Sequence, residues 1–402
     1  MTHALVYRHS VPRYLLSRWL GQLFPHRFFP SVAPIRPETH PLHPPAGWVR
    51  LRVRLCGICG SDLRLLRGEE SFLLEPYASF PFVLGHEIVA EVIEAPSESG
   101  WTTGARVVVE PVLGCKARDL PPCAACARDE PNLCENFLRG ALPPGHSLGY
   151  TAGPGGGMAE ECFAHPSQLI PVFASLDDRL AVLTDSLACA LQAVLPHFPT
   201  DGQGVVVYGA GLLGQHVIRG LRALGSKARI VVVARHEFQR TAALAGGANE
   251  VLRTPSRRAL ASALGGRFLP TTLGGGTVEG AADIFFDAVG STASLQEGLL
   301  QLKPRGQLVL IASSALVGPL DLSPLWFREL RITGSALCGS TTYRRETKRT
   351  YERALELLAA RPDLWRDLVT HIFPLREYSK AFGIALDKKR YGSFKVALQP
   401  DG

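Results

Sequence analysis

The chain lacks any hydrophobic run long enough to cross a membrane as a helix. Among its 402 residues no stretch approaches about 18 uninterrupted apolar residues. It also lacks a block of about five or more like charges, so its formal charge of +7 indicates a solvated surface rather than a nucleic-acid-binding one. We therefore expect neither a nucleic acid nor a membrane as a partner. A phosphate-bearing small molecule would suit the sign of the charge.

Acidic residues are missing from the N-terminal segment. Residues 1–37 contain several Arg but no Asp or Glu, a composition found in organelle transit peptides. The stretch "HALVYR" (3–8) reads as a short first strand, however, so we predict a mature N-terminus followed by an irregular insertion over 14–30. No signal peptide is recognisable, and we expect a cytoplasmic protein.

Two patterns of secondary structure divide the chain. Residues 1–170 are rich in Gly, Pro and β-branched residues, and their short strand-like runs predict a mostly β domain. From about residue 176, strand and helix patterns alternate, which predicts an α/β domain with a doubly wound parallel sheet. Its strands are expected at 204–209, 229–234, 282–289 and 306–313. A helix over 348–360 and a strand over 393–398 follow.

A glycine pattern lies between the first of these strands and the next helix. "VVVYGAGLLG" places Gly209, Gly211 and Gly214 where a dinucleotide-binding loop has a tight turn, a close backbone approach to the pyrophosphate, and close helix–strand packing. The backbone N–H groups of Leu212 and Leu213 would face the anion. The alternative is a glycine-rich turn without a ligand.

The end of the second strand lacks the carboxylate that usually meets a free ribose 2′-hydroxyl. Ala234 stands there, followed by Arg235, with Arg240 one helical turn further on. This favours NADP over NAD, because Arg235 could pair with a 2′-phosphate. Alternatively, Arg235 stacks on the adenine or faces solvent.

Cysteine is abundant and clustered. Of nine cysteines, four lie within a short loop at Cys115, Cys123, Cys126 and Cys134. Four thiolates in such a loop predict a closed structural zinc site, with Cys115 the least regularly spaced ligand. The odd number of cysteines also favours metal binding over a disulfide framework.

A second group of potential ligands is more dispersed. "LRVRLCGICGSD" (51–62) contains Cys56 and Cys59, and "VLGHEIVAEV" contains His86 and Glu87. Asp185 lies in an apolar helical stretch, where a carboxylate is costly unless it is paired or bound to a metal. The spacing alone leaves open which of the two cysteines binds a metal.

The order of these motifs resembles the zinc-containing alcohol dehydrogenases of the medium-chain dehydrogenase/reductase superfamily. "GICGSD", "LGHE", the four-cysteine lobe, "DSLACAL", "GAGLLG", "FDAVG" and "KVAL" carry the resemblance from about residue 48 to 398, in the style of the sorbitol and threonine dehydrogenase branches. It implies a GroES-like catalytic domain over 1–186, a Rossmann NAD(P)-binding domain over 187–337, and a return to the catalytic domain over 338–402. It also implies a homo-oligomer, either a dimer or a tetramer.

The resemblance selects Cys59 as a ligand of a catalytic zinc and makes Cys56 a packing residue. It implies His86 as the second ligand, with Glu87 and Asp185 as the remaining candidates. Many relatives carry Cys or Glu at the last position, so the shorter Asp185 is a departure from the family pattern.

The resemblance also assigns residues to the reaction. Ser61 matches the hydroxyl that accepts the substrate proton, but Arg64 replaces the family's usual proton-passing His, so the outer relay must differ or run through water. Four further residues are implied near the nicotinamide ribose and ring or the pyrophosphate: Val289, Ile311 and Ser313 for the former, and Lys395 for the latter.

The resulting interpretation is a zinc-dependent oxidoreductase that transfers a hydride between a secondary alcohol or polyol, or its ketone, and NAD(P). A zinc-free NADPH-dependent enone reductase is a rival, against which the Cys59, His86 and Glu87 set argues. A catalytically silent cofactor-binding homologue is another, supported by the Arg64 and Asp185 departures.

A third alternative is a four-thiolate zinc ribbon built from Cys56, Cys59, Cys123 and Cys126. It would leave His86 without a role. No pattern in the sequence indicates the substrate.

Overall fold

The computed structural model describes residues 1–254, 256–312 and 317–400. Its strands are Thr2–Tyr7 (β1), Ile35–His40 (β2), Val49–Gly57 (β3), Phe82–Val83 (β4), Glu87–Glu94 (β5), Arg106–Val109 (β6), Glu161–Ala164 (β7), Leu169–Pro171 (β8), Gly204–Tyr208 (β9), Arg229–Val233 (β10), Glu250–Leu252 (β11), Arg267–Leu269 (β12), Thr277–Glu279 (β13), Ala282–Asp287 (β14), Leu302–Leu310 (β15), Arg331–Gly334 (β16), Ser340–Tyr343 (β17), Glu346–Arg349 (β18), Val369–Pro374 (β19) and Lys395–Gln399 (β20).

The α-helices alternate with these strands mainly in the second half of the chain. They are Val11–Leu23 (α1), Gly60–Leu66 (α2), Asp178–Ala181 (α3), Thr184–Val194 (α4), Leu212–Ala223 (α5), Glu237–Ala245 (α6), Arg257–Ala263 (α7), Thr292–Gln301 (α8), Ser323–Phe327 (α9), Thr350–Ala360 (α10), Tyr378–Leu386 (α11) and Lys388–Tyr391 (α12). No α-helix in the described part of the chain is long and apolar enough to span a bilayer.

The first compact unit comprises residues 1–188, 337–340 and 348–402. Its main sheet has the order β19-β20-β3-β5-β6-β8, with β7 also pairing with β3, and a smaller sheet has the order β2-β1-β4. β3 forms because its sequence alternates: Leu51 and Val53 are buried, whereas Arg52 and Arg54 are exposed. The C-terminal strand β20 pairs with β3, so distant parts of the chain meet where β3 ends.

The second compact unit comprises residues 189–336 and 341–347. Its six-stranded sheet is parallel throughout and has the order β11-β10-β9-β14-β15-β16. Val205 and Val207 of β9 pack into one apolar core and Val206 into another, so both faces of the sheet are covered. The predicted doubly wound parallel sheet is therefore confirmed.

The N-terminal segment is more regular than the sequence analysis expects. β1 confirms the predicted first strand, but the prediction of an irregular insertion over 14–30 is wrong for its first part, which belongs to helix α1. Ser10 precedes the helix in extended conformation, and Pro12 lies in its first turn, where a missing N–H costs nothing. The Leu, Arg and Gln residues that follow are good helix formers.

Candidate active site

The four cysteines of the loop form a compact cluster of sulfur atoms. The thiols of Cys115, Cys123, Cys126 and Cys134 lie within 4.8 Å of one another. The Cys115–Cys134 sulfur distance is 3.6 Å, and the Cys123–Cys134 distance is 4.0 Å. Zinc–sulfur bonds of about 2.3 Å place the ligand sulfurs of a tetrahedral site about 3.8 Å apart. The cluster therefore fits a four-thiolate zinc site.

Backbone N–H groups point at these sulfurs. The Cys123 amide donates to Cys115 Sγ at 3.3 Å, and the Glu135 amide donates to Cys123 Sγ at 3.4 Å. Burial raises the pKa of the Cys123 thiol, but the N–H donors of Cys126 and Glu135 outweigh it and lower this pKa to about 6. The environment of Cys123 thus favours its thiolate, which is the metal-binding form, whereas burial raises the pKa values of the Cys126 and Cys134 thiols.

A single buried arginine holds the shape of the loop around the cluster. Arg118 is fully buried, and its guanidinium donates to five backbone carbonyl oxygens: those of Leu113, Arg139, Leu142, Pro143 and Gly145. These bonds link residues 139–145, which follow the four cysteines, to the start of the loop.

The second cluster combines three unlike donors. The Cys59 thiol, the His86 ring and the Glu87 carboxylate have donor atoms within 4.8 Å of one another. Cys59 lies between the end of β3 and the start of α2, and His86 immediately precedes β5. Because Gly57 of β3 is paired directly with Glu87 of β5, the sheet register brings the two segments together.

His86 is held between a thiol and a carboxylate. Its ring hydrogen-bonds the Cys59 side chain, and its Nδ1 lies 3.7 Å from Asp62 Oδ1. Asp62 is fully buried, and its other oxygen accepts a 2.9 Å hydrogen bond from the Cys59 N–H. Burial lowers the pKa of His86, but Asp62 and Cys59 raise it well above its usual value. This concentration of negative charge suits a cation.

Glu87 has one paired and one unpaired oxygen. Its Oε2 forms a buried ion pair with the Lys395 ammonium, which also donates to the Ile58 carbonyl at 3.2 Å. Its Oε1 is buried and has no hydrogen-bond partner. The resemblance implies that Lys395 lies near the pyrophosphate. In the structure Lys395 is only 1% exposed, and its ammonium group is paired with Glu87.

Asp185 lies near this cluster but outside the 4.8 Å group that Cys59, His86 and Glu87 form. Its Oδ2 is 3.3 Å from the Tyr351 hydroxyl, which is also 2.8 Å from the Val109 carbonyl oxygen. Burial raises the pKa of Asp185 to about 7, with His86 acting in the opposite direction.

Ser61 has a tyrosine as its hydroxyl partner. The Ser61 and Tyr150 side chains share a hydrogen bond. The Tyr150 ring lies 5.9 Å from the His86 ring and 5.1 Å from the His146 ring, measured between centroids. Burial raises the pKa of Tyr150 well above its usual value, so its hydroxyl stays protonated. Arg64, in contrast, approaches Glu70 to 4.0 Å.

In the second unit, the glycine loop has the predicted context between β9 and α5. Gly209 has a φ of +96°, and a Cβ there would lie 2.5 Å from Val289 Cγ2. A Cβ at Gly214 would lie 1.9 Å from the Gly209 carbonyl oxygen, whereas one at Gly211 would meet no heavy atom within 4 Å. Gly211 thus leaves open space beside the first N–H groups of α5, at Leu212 and Leu213, as a bound pyrophosphate requires.

The two arginines after β10 differ in their surroundings. Ala234 is buried, and Arg235 is exposed. Arg240 forms an ion pair with Glu237 at 2.7 Å, so part of its charge is already compensated.

The segment after β14 is fixed by one carboxylate. Asp287 Oδ1 accepts hydrogen bonds from the N–H groups of Val289 and Gly290, each at 2.9 Å. The Ile311 N–H donates to the Asp287 carbonyl at 3.0 Å, which places Ile311 beside the same strand end. Ser313, the remaining residue assigned near the nicotinamide, lies outside the described residues.

Comparison with known proteins extends these observations over most of the chain. The family described as alcohol dehydrogenase GroES-like domain matches residues 45–174, and the family described as zinc-binding dehydrogenase matches residues 213–360. The chain belongs to the zinc-type alcohol dehydrogenases. This dehydrogenase is therefore an oxidoreductase, and the resemblance stated from its motifs is confirmed.

Similar proteins support the same family over most of their lengths. Sorbitol dehydrogenase of Halalkalibacterium halodurans is 25% identical over 88% of this dehydrogenase and 91% of its own length. The starvation-sensing protein RspB of Escherichia coli is 27% identical over 73% and 78%, respectively. A putative zinc-binding dehydrogenase from Sinorhizobium meliloti, solved with NADP, shares the fold with a TM-score of 0.70 at 23% identity, covering 91% of this chain and 95% of the other.

Sequence reasoning missed three side chains that contact the predicted site of the dehydrogenase: Asp62, Tyr150 and Tyr351. Asp62 could have been noticed, because it directly follows Ser61 in a motif already quoted. Tyr150 and Tyr351 carry no local signal, since each reaches the site from a separate segment.

Proposed function

We propose that this dehydrogenase uses zinc to move a hydride between a secondary alcohol or polyol, or the corresponding ketone, and NAD(P). The observation that carries the proposal is the mixed donor set of Cys59, His86 and Glu87, with donor atoms within 4.8 Å of one another. Three protein ligands with room for a fourth are typical of catalytic rather than structural zinc. The polyol class is supported by the name of the sorbitol dehydrogenase relative.

Zinc held by Cys59 and His86, with Glu87 and Asp185 as the remaining candidate ligands, would supply a Lewis acid that lowers the pKa of the alcohol. Lys395 neutralises one oxygen of Glu87 and leaves the other without a partner. Asp62 faces the His86 ring nitrogen, as carboxylates commonly do behind metal-binding histidines.

Ser61 would accept the proton that the alcohol loses. Arg64 cannot pass that proton on, because a guanidinium has no acceptor. Tyr150 is the hydroxyl that hydrogen-bonds Ser61, and as a protonated phenol it can accept one proton while donating another. We therefore assign the next step of proton transfer to Tyr150.

The nicotinamide cofactor would supply the hydride acceptor. Its pyrophosphate is assigned to Gly209, Gly211 and Gly214, and we favour NADP because Arg235 is exposed beside a position that lacks a carboxylate. An Arg235→Ala variant should lower kcat/KM with NADP by about tenfold or more, the worth of a charge-assisted hydrogen bond, and leave that with NAD unchanged. Arg229→Ala, at the other end of β10, is the control. Equal losses with both cofactors would contradict the assignment to the 2′-phosphate.

The partners proposed are a small-molecule substrate and a second copy of the chain. Within the described residues β16 pairs only with β15, and its four residues are exposed, so it offers a free sheet edge for another copy. A cytoplasmic location is also proposed, supported by the lack of a disulfide at any of the nine cysteines.

The decisive experiment is the zinc content of the purified protein and of two serine variants. We expect two zinc ions per chain in the wild type and in Cys56→Ser, because the Cys56 thiol is fully buried and donates to the Gly57 carbonyl. Cys59→Ser should retain one. One zinc per chain in all three proteins would mean that only the four-cysteine loop binds metal. That result would favour the zinc-free enone reductase over the zinc-dependent dehydrogenase. Turnover of an alcohol would exclude a silent homologue.

A further inference from the structure

Helix α1 has its apolar side facing outward. The side that packs on the protein carries the small residues Ser17 and Gly21, both buried. The opposite side carries large apolar residues that are each between two fifths and three fifths exposed: Val11, Leu15, Leu16, Trp19 and Leu23. A surface helix of a globular domain normally has the reverse arrangement. Isolated exposed leucines need no explanation, but a contiguous stripe of this kind does.

A second exposed apolar segment lies beside helix α1. In the 3₁₀-helix Phe72–Tyr77, the side chains of Phe72 and Leu73 are 60% and 84% exposed. The Tyr14 ring of α1 lies 5.6 Å from the Phe72 ring, and its hydroxyl donates to the Glu70 carbonyl at 2.8 Å. We name the exposed side of α1 together with Phe72, Leu73 and Leu74 the docking face.

The α1 part of the docking face carries positive charge only. Residues 1–37 contain no acidic residue. Arg13, Arg18 and Arg27 have no carboxylate within 4.0 Å in the part of the chain described. The carboxylates beside it are Glu69, which pairs with Arg67 at 2.6 Å, Glu70, which lies 4.0 Å from Arg64, and Glu75, which lies 3.3 Å from the His9 ring.

We propose that the docking face binds an anionic membrane surface, with α1 lying in the plane of the headgroups. An outward stripe of Leu and Trp, flanked by arginines that have no carboxylate partner, is the composition of interfacial helices. The sequence analysis expects no membrane partner because no segment can span a bilayer, but surface attachment requires no span. A second copy fits less well, because a symmetric contact would bring the arginines of two α1 helices, which carry no acidic residue, into one interface.

The test is flotation of the purified full chain with vesicles. One set consists of phosphatidylcholine alone and the other of equal parts phosphatidylcholine and phosphatidylglycerol. We expect binding to the anionic vesicles that weakens at high salt. Trp19→Gln with Leu23→Gln, and separately Arg13→Gln with Arg18→Gln, should each weaken binding by about tenfold or more. Leu273→Gln removes an 88% exposed leucine of the second unit and should change nothing.

Three results would overturn the proposal. The wild type could fail to float with either set of vesicles, or the Trp19→Gln, Leu23→Gln protein could float as well as the wild type. Alternatively, that double variant could dissociate an oligomer in sedimentation without changing flotation, which would assign the docking face to a second copy. Thermal unfolding of each variant checks the fold, and since alcohol turnover is not used, a negative result leaves the proposed function untouched.

Discussion

The two cysteine-containing clusters of the first unit are built in opposite ways. The loop cluster has four identical donors within twenty residues of chain, and nearby backbone N–H groups point at its sulfurs. The Cys59 cluster has three different donors from separate elements, and Glu87 Oε1 and His86 Nδ1 are buried without hydrogen-bond partners. A complete set of donors stabilises a fold, whereas an incomplete set leaves a position for a reactant. The difference predicts that the two clusters respond differently to the same kind of substitution.

The largest effect is expected in the loop. Cys123→Ala should remove one zinc and lower the melting temperature by about 10 °C or more, because a structural zinc contributes binding energy comparable to the whole stability of a domain. Cys162→Ala, at a fully buried thiol of β7 outside both clusters, is the matched control and should retain both metals. If the Cys123→Ala protein had unchanged zinc content and an unchanged melting temperature, the proposed structural role of the loop would be wrong.

Cys59→Ser should show the opposite signature. We expect kcat/KM to fall by about a thousandfold or more, while the melting temperature moves by only about 3 °C, because the surrounding sheet does not depend on the metal. Steady-state kinetics and calorimetry on one preparation measure both. If Cys59→Ser unfolds as readily as Cys123→Ala, the contrast between the two clusters is wrong.

The buried ion pair behind the Cys59 cluster is expected to have an intermediate effect. Lys395→Met should lower the free energy of unfolding by about 3–5 kcal/mol, because it leaves the Glu87 charge buried without its partner. Adding Glu87→Gln should recover part of that loss. Lys303→Met is the control, since its 2.8 Å pair with Asp283 is partly exposed and should cost about 1 kcal/mol or less. Urea unfolding of the wild type and the three variants measures these free energies. A larger loss in Lys303→Met than in Lys395→Met would contradict this order.

The smallest effect is expected from one hydroxyl. Tyr150→Phe keeps the ring packing but removes the partner of Ser61, so kcat should fall by about tenfold while KM and the melting temperature change little. Tyr77→Phe, whose ring contacts Phe137, removes a hydroxyl elsewhere and should leave kcat unchanged. An unaltered kcat in Tyr150→Phe would indicate that the proton leaves Ser61 through water rather than through Tyr150.

The sequence allowed prediction of the features that depend on local pattern. The strand–glycine–helix order around Gly209 and the alternation of β3 follow from local spacing, and the resemblance named Cys59, His86 and Glu87. The partner of Lys395 could not be predicted, because it depends on β20 pairing with β3, which pairs in turn with β5. Helix α1 was missed although its apolar residues recur at helical spacing. What that spacing could not predict is that the apolar side faces outward, because the pattern alone does not tell which side packs on the protein.

Arg118 has a consequence for how the cysteine loop can vary between related sequences. Its guanidinium recognises main-chain oxygens, which every amino acid provides, so the exposed side chains at Arg139 and Pro143 are not specified by these bonds. The loop can therefore accumulate substitutions at such positions while keeping its path. Arg118 itself has no such freedom, because a lysine has only one nitrogen to offer where the planar guanidinium serves five carbonyls from three. One buried side chain would thus permit a variable surface around the four cysteines.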